Sequence, residues 1–180
     1  MGTLLQGTLR ARGQLAHVTL ARGIGWGLLG GLVGTMAMDA ILMGGLSAVG
    51  LPAFTCFSLI GSTATRFFSI LGVGIAGGVP LGVAAHYMLG PVIGALYGAA
   101  VAQIDALRVD TLKQALVPAV LYVEVLSQPI LAMTPILLKM TASGTAQWFG
   151  LSFVMHAVYG VILGLVIRYG LRSAARSRPV

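Results

Sequence analysis

The chain has 180 residues, of which 57% are hydrophobic, only 8% are charged and 26 are glycine, a mix that excludes an ordinary soluble domain of this length. Its net charge of +7 comes from 11 basic and 4 acidic residues. The basic residues flank apolar stretches, so they point to lipid head groups and membrane topology, and no nucleic acid is expected as a partner.

The chain opens with a segment, residues 1–22, that reads as an amphipathic or frayed cytoplasmic arm: Leu4, Leu5, Leu9, Leu15 and Val18 alternate with Arg10, Arg12 and His17. No cleavable targeting segment is expected, because the apolar run from Gly23 is too long for a signal-peptide core and carries Asp39. That run, residues 23–49, is the first of four stretches longer than about 18 residues with almost no charge, the signature of a bilayer span. Asp39 continues a stripe of small residues, Gly27, Gly31 and Thr35, at helical spacing.

Residues 54–72 are too apolar for a solvated loop and too broken for a span. Ser62 or Thr63 is expected to cap a short interfacial helix running through Leu71 and lidding the outer mouth; Arg66 argues against placing this segment in hydrocarbon. The single cysteine, Cys56, excludes an intrachain disulfide and any multi-cysteine zinc or iron–sulfur site.

The second span, residues 79–102, holds His86 among Gly78, Gly82, Gly90, Gly94 and Gly98. The third, residues 116–138, holds Glu124, Ser127 and Gln128; the fourth, residues 148–169, holds His156 with Ser152, Gly160 and Gly164. Residues 171–180 form a basic tail. Arg10, Arg12, Arg22, Arg108, Lys113, Arg168, Arg172, Arg176 and Arg178 all fall at the two termini and the middle connection, leaving only Arg66 and Lys139 on the other side. The positive-inside rule then places both termini in the cytoplasm, with the chain crossing the cytoplasmic membrane four times.

The fold expected is all-α: an integral membrane up-down four-helix bundle over residues 23–170. Each half reads as an acidic span followed by a span with His-x3-Gly-x3-Gly, so the bundle would be two α-hairpin repeats. Pro91, Pro129 and Pro135 lie inside spans, and each frees a carbonyl that a neighbouring group must satisfy.

An ionised group at bilayer depth costs roughly 2.5 to 3.5 kcal/mol on insertion scales and therefore faces the protein interior. Asp39, Glu124, His86 and His156 are expected to point at one another or at a bound guest, with Ser127 and Gln128 in the same polar cluster. Counting about 1.5 Å per helical residue puts both histidines roughly 10 to 12 Å below the outer interface. At a shared level they would suit axial ligation of haem b, with Arg66 meeting a propionate, or a metal bound together with the carboxylates.

Three readings follow: satisfied core groups in a non-catalytic subunit packing within a larger membrane assembly or a homo-oligomer, the leading one; a cofactor held between His86 and His156; or a proton-linked carrier or channel. No enzyme is expected. Ser152 and His156 share a helix but lack a nucleophile elbow, and no phosphate-loop, zincin or dinucleotide motif is present. The segment Gly34-Thr35-Met36-Ala37-Met38-Asp39 and the two His-x3-Gly-x3-Gly elements resemble small uncharacterised four-span membrane proteins of bacteria and archaea. That resemblance implies a prokaryotic multi-pass protein and no activity.

Overall fold

The computed structural model describes residues 18–176; the expected amphipathic arm over residues 1–17 and the last residues of the tail lie outside them. Five α-helices follow in order: α1 Leu20–Ala48, α2 Thr55–Ile70, α3 Val79–Gln103, α4 Leu112–Leu138 and α5 Ala142–Arg176, with a short 3-10 turn at Asp105–Leu107 between α3 and α4. No strand occurs among the described residues. The helices α1, α3 and α4, and residues Ala142–Ser173 of α5, are long and apolar enough to cross a membrane, which makes this a multi-pass membrane protein of all-α fold.

The helix limits follow local chemistry that hydropathy alone misses. Thr111 and Gln114 form a reciprocal capping box, so α4 starts at Leu112 instead of Leu116. The Thr141 hydroxyl accepts from the Gly144 amide and α5 starts at Ala142, six residues before Trp148. At its far end α5 runs on to Arg176, so residues 171–176 of the expected tail are helical. The helix expected between the first two spans, α2, begins at Thr55, whose hydroxyl donates to the Pro52 carbonyl at 2.6 Å, and not at Ser62 or Thr63. Thr63 sits inside the helix because its hydroxyl reaches back to the Leu59 carbonyl at 2.8 Å, which removes the need for a cap there.

Glycine sets the packing. Side chains added at Gly23, Gly27 or Gly31 of α1 would collide with the carbonyls of Gly98, Gly94 and Gly90 of α3, so each turn forward on α1 meets one turn backward on α3. The two helices are antiparallel with their backbones in contact. In α5, Gly160 and Gly164 likewise lie against Val120 and Ala115 of α4, while Tyr159 and Leu163 lie against Gly34 and Gly30 of α1. Thus α1 packs on both α3 and α5, and α4 packs on α5.

The remaining seam, between α3 and α4, is different. These helices meet sparsely, through the Tyr97 and Tyr122 rings at 5.0 Å and a Tyr122 hydroxyl donating to the Ile93 carbonyl at 3.1 Å. Elsewhere α2 bridges the gap. Its Gly61 and Phe57 backbones abut Gly78 and Gly82, and the Thr63 hydroxyl lies 3.0 Å from that of Thr134 in α4.

The interior prolines are absorbed without ending α3 or α4. Pro135 has no amide hydrogen for the Leu131 carbonyl one turn earlier, and the Trp148 indole Nε1 of α5 donates to that carbonyl at 3.0 Å.

Two outcomes test this packing. Gly94→Leu forces α1 and α3 apart and lowers stability by about 1 to 3 kcal/mol or more, read as a fall in melting temperature in detergent; Gly44→Ala, which meets open space inside α1, does not lower it and raises it by up to about 1 kcal/mol. Trp148→Phe strands the Leu131 carbonyl at about 1 to 3 kcal/mol, and Pro135→Ala, by restoring an amide donor, makes the indole loss smaller in a double-mutant cycle.

Candidate functional site

Where α3 and α4 stand apart beneath α2, the helices frame a partly open cavity of about 450 Å³, lined from all five of them. Of the residues singled out from sequence, Asp39 of α1, His86 of α3, Ser127 of α4 and His156 of α5 all face it. Most of the remaining wall is apolar or aromatic, including Met38, Phe57, Leu89, Ile130, Trp148 and Met155.

Asp39 reaches this place through the glycine register. Because Gly31 faces Gly90, the next turn sets Thr35 level with His86, and Asp39 follows one turn further. His86 Nε2 stands 3.2 Å from Asp39 Oδ1, close enough for an ion pair but off the line of a hydrogen bond, and Asp39 Oδ2 has no partner. The residue is only 4% exposed. The Phe57 ring meets His86 edge-on at 5.8 Å, holding the imidazole against α2. Beside them on α2, burial and then the nearby Asp39 carboxylate push the Cys56 thiol up from 9.0 to about 11.

The second histidine is held differently. His156 Nδ1 donates to the Ser152 carbonyl at 2.7 Å, which puts the proton of the neutral ring on Nδ1 and leaves Nε2 as an acceptor. Ser127 is 3% exposed and its hydroxyl has no partner.

Glu124 and Gln128 do not line the cavity. They bond to each other along α4, Gln128 Nε2 donating to Glu124 Oε2 at 3.2 Å, and the other Glu124 oxygen is buried without a partner. Arg66, expected near a propionate, is exposed on α2. Among the described residues no three of His, Cys, Asp and Glu gather closely enough to hold a metal ion.

Several groups not assigned to the site from sequence complete the wall. Tyr159 closes one end, its hydroxyl donating to the Gly90 carbonyl at 2.5 Å, and Thr35, Thr63, Thr134 and Ser152 bring further hydroxyls. Thr35 satisfies itself on the Gly31 carbonyl at 2.9 Å. Thr35 and Ser152 stood on the small-residue stripes beside Asp39 and His156 and were visible there. The meeting of Thr63 with Thr134, and of Tyr159 with Gly90, spans about seventy residues of chain and left no local signal.

No protein-family model matches this chain, and neither the curated proteins nor the solved structures contain a significant match to it.

The electrostatics around Cys56 carry a sign that can be measured. At pH 8 a thiol with a pKa of about 11 is ionised roughly a hundredfold less than one at 9, so its alkylation by iodoacetamide is slow by about that factor. Asp39→Asn removes the second cause of the raised value and leaves the first, so the reaction accelerates but stays slower than that of a free thiol; an unchanged rate would separate Cys56 from the Asp39 charge.

Proposed function

We propose that this protein binds a small membrane-dissolved guest between its helices and carries it, with Asp39 and His86 as the polar anchor that exchanges a proton as the guest arrives and leaves. One observation carries the reading: a carboxylate that is 4% exposed, with one oxygen unpartnered, facing a cavity of about 450 Å³. Isolated buried charge is expensive, and interhelical polar contacts in membranes average only about 0.6 kcal/mol, so strengthening the bundle does not account for Asp39. A volume of this order lies within the range of small-molecule sites, which combine apolar walls with a few convergent polar groups.

The groups that govern proton exchange lie on several elements. Asp39 faces His86 and Tyr87 from α3 and Cys56 from α2; α5 adds His156 and Tyr159 to the same cavity. An acid and a base 3.2 Å apart can pass a proton between them without either side chain entering lipid. The reading of a packing subunit in a larger assembly draws on the same four apolar helices and gains nothing from the cavity. A haem or metal held between His86 and His156 has less support, since His86 is turned to Asp39 and no cluster of three ligating residues forms among the described residues. The exposure of Arg66 removes the expected propionate partner.

The test uses Trp148, which lines the cavity, in a Trp26→Phe background; Trp26 packs against Gly170 at the other end of the bundle. Neutral 4-bromophenethyl alcohol is expected to quench Trp148 fluorescence saturably in mild detergent, and Ala85→Phe, which fills the cavity, to leave only a linear partitioning background. Identical linear quenching in both, by this alcohol and by its amine counterpart alike, would overturn guest binding. Carriage adds a second outcome: vesicles bearing a pH gradient accumulate the guest recovered by solvent extraction of the purified protein, and Asp39→Asn abolishes that accumulation. A Soret band, or a stoichiometric metal, lost in both His86→Ala and His156→Ala would replace the carrier with a cofactor-holding subunit.

A further inference from the structure

The cavity's charge balance narrows what it takes. Among the described residues, no lysine or arginine lines it; its basic side chains are His86 and His156, and His86 approaches Asp39 Oδ1 off the line of a hydrogen bond. An ion pair formed for its own sake would bring the ring N–H onto the oxygen, because charge-assisted hydrogen bonds are the strong ones. Oδ2 is left buried with its hydrogen-bonding capacity unmet. Across the same space Ser127 offers a second buried oxygen without a partner. A hydroxyl can accept or donate, so the one-way demand in the cavity is that of Asp39 Oδ2, which as a carboxylate oxygen only accepts.

The walls agree with this. Phe57, Phe67, Phe68, Trp148 and Tyr159 line the cavity, and the face of an aromatic ring attracts a cation. An anionic guest would meet the Asp39 carboxylate in a medium of low dielectric, where like charges repel most strongly. A neutral hydrocarbon would fill the space but leave Oδ2 unbonded.

We propose that the guest is a lipophilic monocation: an apolar body bearing one protonated amine, whose N–H donates to Asp39 Oδ2 while the body lies against the aromatic and aliphatic wall. This rests on the guest-binding reading above and adds the chemical class. It also accounts for the place of the site, since an amine soluble in the bilayer reaches the sparse α3–α4 seam from lipid without crossing water.

The experiment compares three probes that share one body and differ in head group: 4-bromophenethylamine, the corresponding alcohol, and 4-bromophenylacetate, each titrated at pH 7 against Trp148 fluorescence in the Trp26→Phe protein. The amine is expected to bind at least about tenfold more tightly than the alcohol, as a charge-assisted hydrogen bond implies, and the carboxylate not to bind saturably. In Asp39→Asn the amine and alcohol converge while the alcohol keeps its affinity. Saturable alcohol binding with no amine preference would overturn the cation and leave the guest-binding reading standing, as would a preference that survives Asp39→Asn. Failure of all three probes to quench saturably would remove both. The comparison of probes on the protein with Asp39 intact needs no site variant, so it decides the matter even where Asp39→Asn fails to assemble.

Discussion

The backbone contact between α1 and α3 is the constraint from which the site follows. In lipid no hydrophobic gain draws one apolar helix to another, so association depends on close packing, and dispersion decays steeply with separation. Glycines at positions 23, 27 and 31 meet those at 98, 94 and 90, allowing the two backbones to touch. Once that contact is made the register is no longer free: Thr35 is set level with His86, and Asp39 falls one turn further along α1, within reach of the imidazole. A register shifted by one turn would set a different residue of α1 against His86. The chemistry of the polar pair is thus decided by residues that carry no side chain.

The second hairpin uses the same device for a different result. Gly160 and Gly164 of α5 lie against Val120 and Ala115 of α4, and one turn beyond Gly160 the register brings Glu124 level with His156. Glu124 is therefore the counterpart of Thr35, and Gln128 stands nearer the position that Asp39 holds in the first hairpin. Glu124 bonds along its own helix to Gln128, and His156 turns to the Ser152 carbonyl. The two halves share a packing scheme but not a polar arrangement, and only one of them puts an acid into the cavity. Under the proposed reading, asymmetry of this kind suits a single guest bound in one orientation better than two equivalent sites.

The four spans and the separate status of α2 were legible because they depend on quantities a sequence carries directly: run length, hydropathy and the cost of burying Arg66. Helix ends were less so. The capping box at Thr111 and Gln114 and the cap at Thr141 extended α4 and α5 beyond their apolar cores, and a hydroxyl that bonds back to its own helix, as Thr63 does to Leu59, looks the same in sequence as one that caps. The polar residues of the site were visible one at a time through the expense of placing them in oil. Which of them converge was not, because convergence depends on helix register and on pairs far apart in the chain, such as Tyr159 with Gly90. The freed carbonyl behind Pro135 was foreseeable; its partner Trp148 was not, since it sits on the next helix.

A bundle that packed as closely along every seam would have no cavity, and the sparse α3–α4 seam is what prevents it. Tyr97 and Tyr122 are large rings where α1 and α3 present glycine, so they hold the helices apart at one end, and α2 spans the opening at the other. The arrangement keeps Asp39 out of lipid without giving Oδ2 a protein partner, a state that costs stability. Thr35, one turn before Asp39 on α1, spends its hydroxyl on the Gly31 carbonyl. An acceptor left open in a space that the fold holds open is what a site needs when the missing donor arrives from outside the chain.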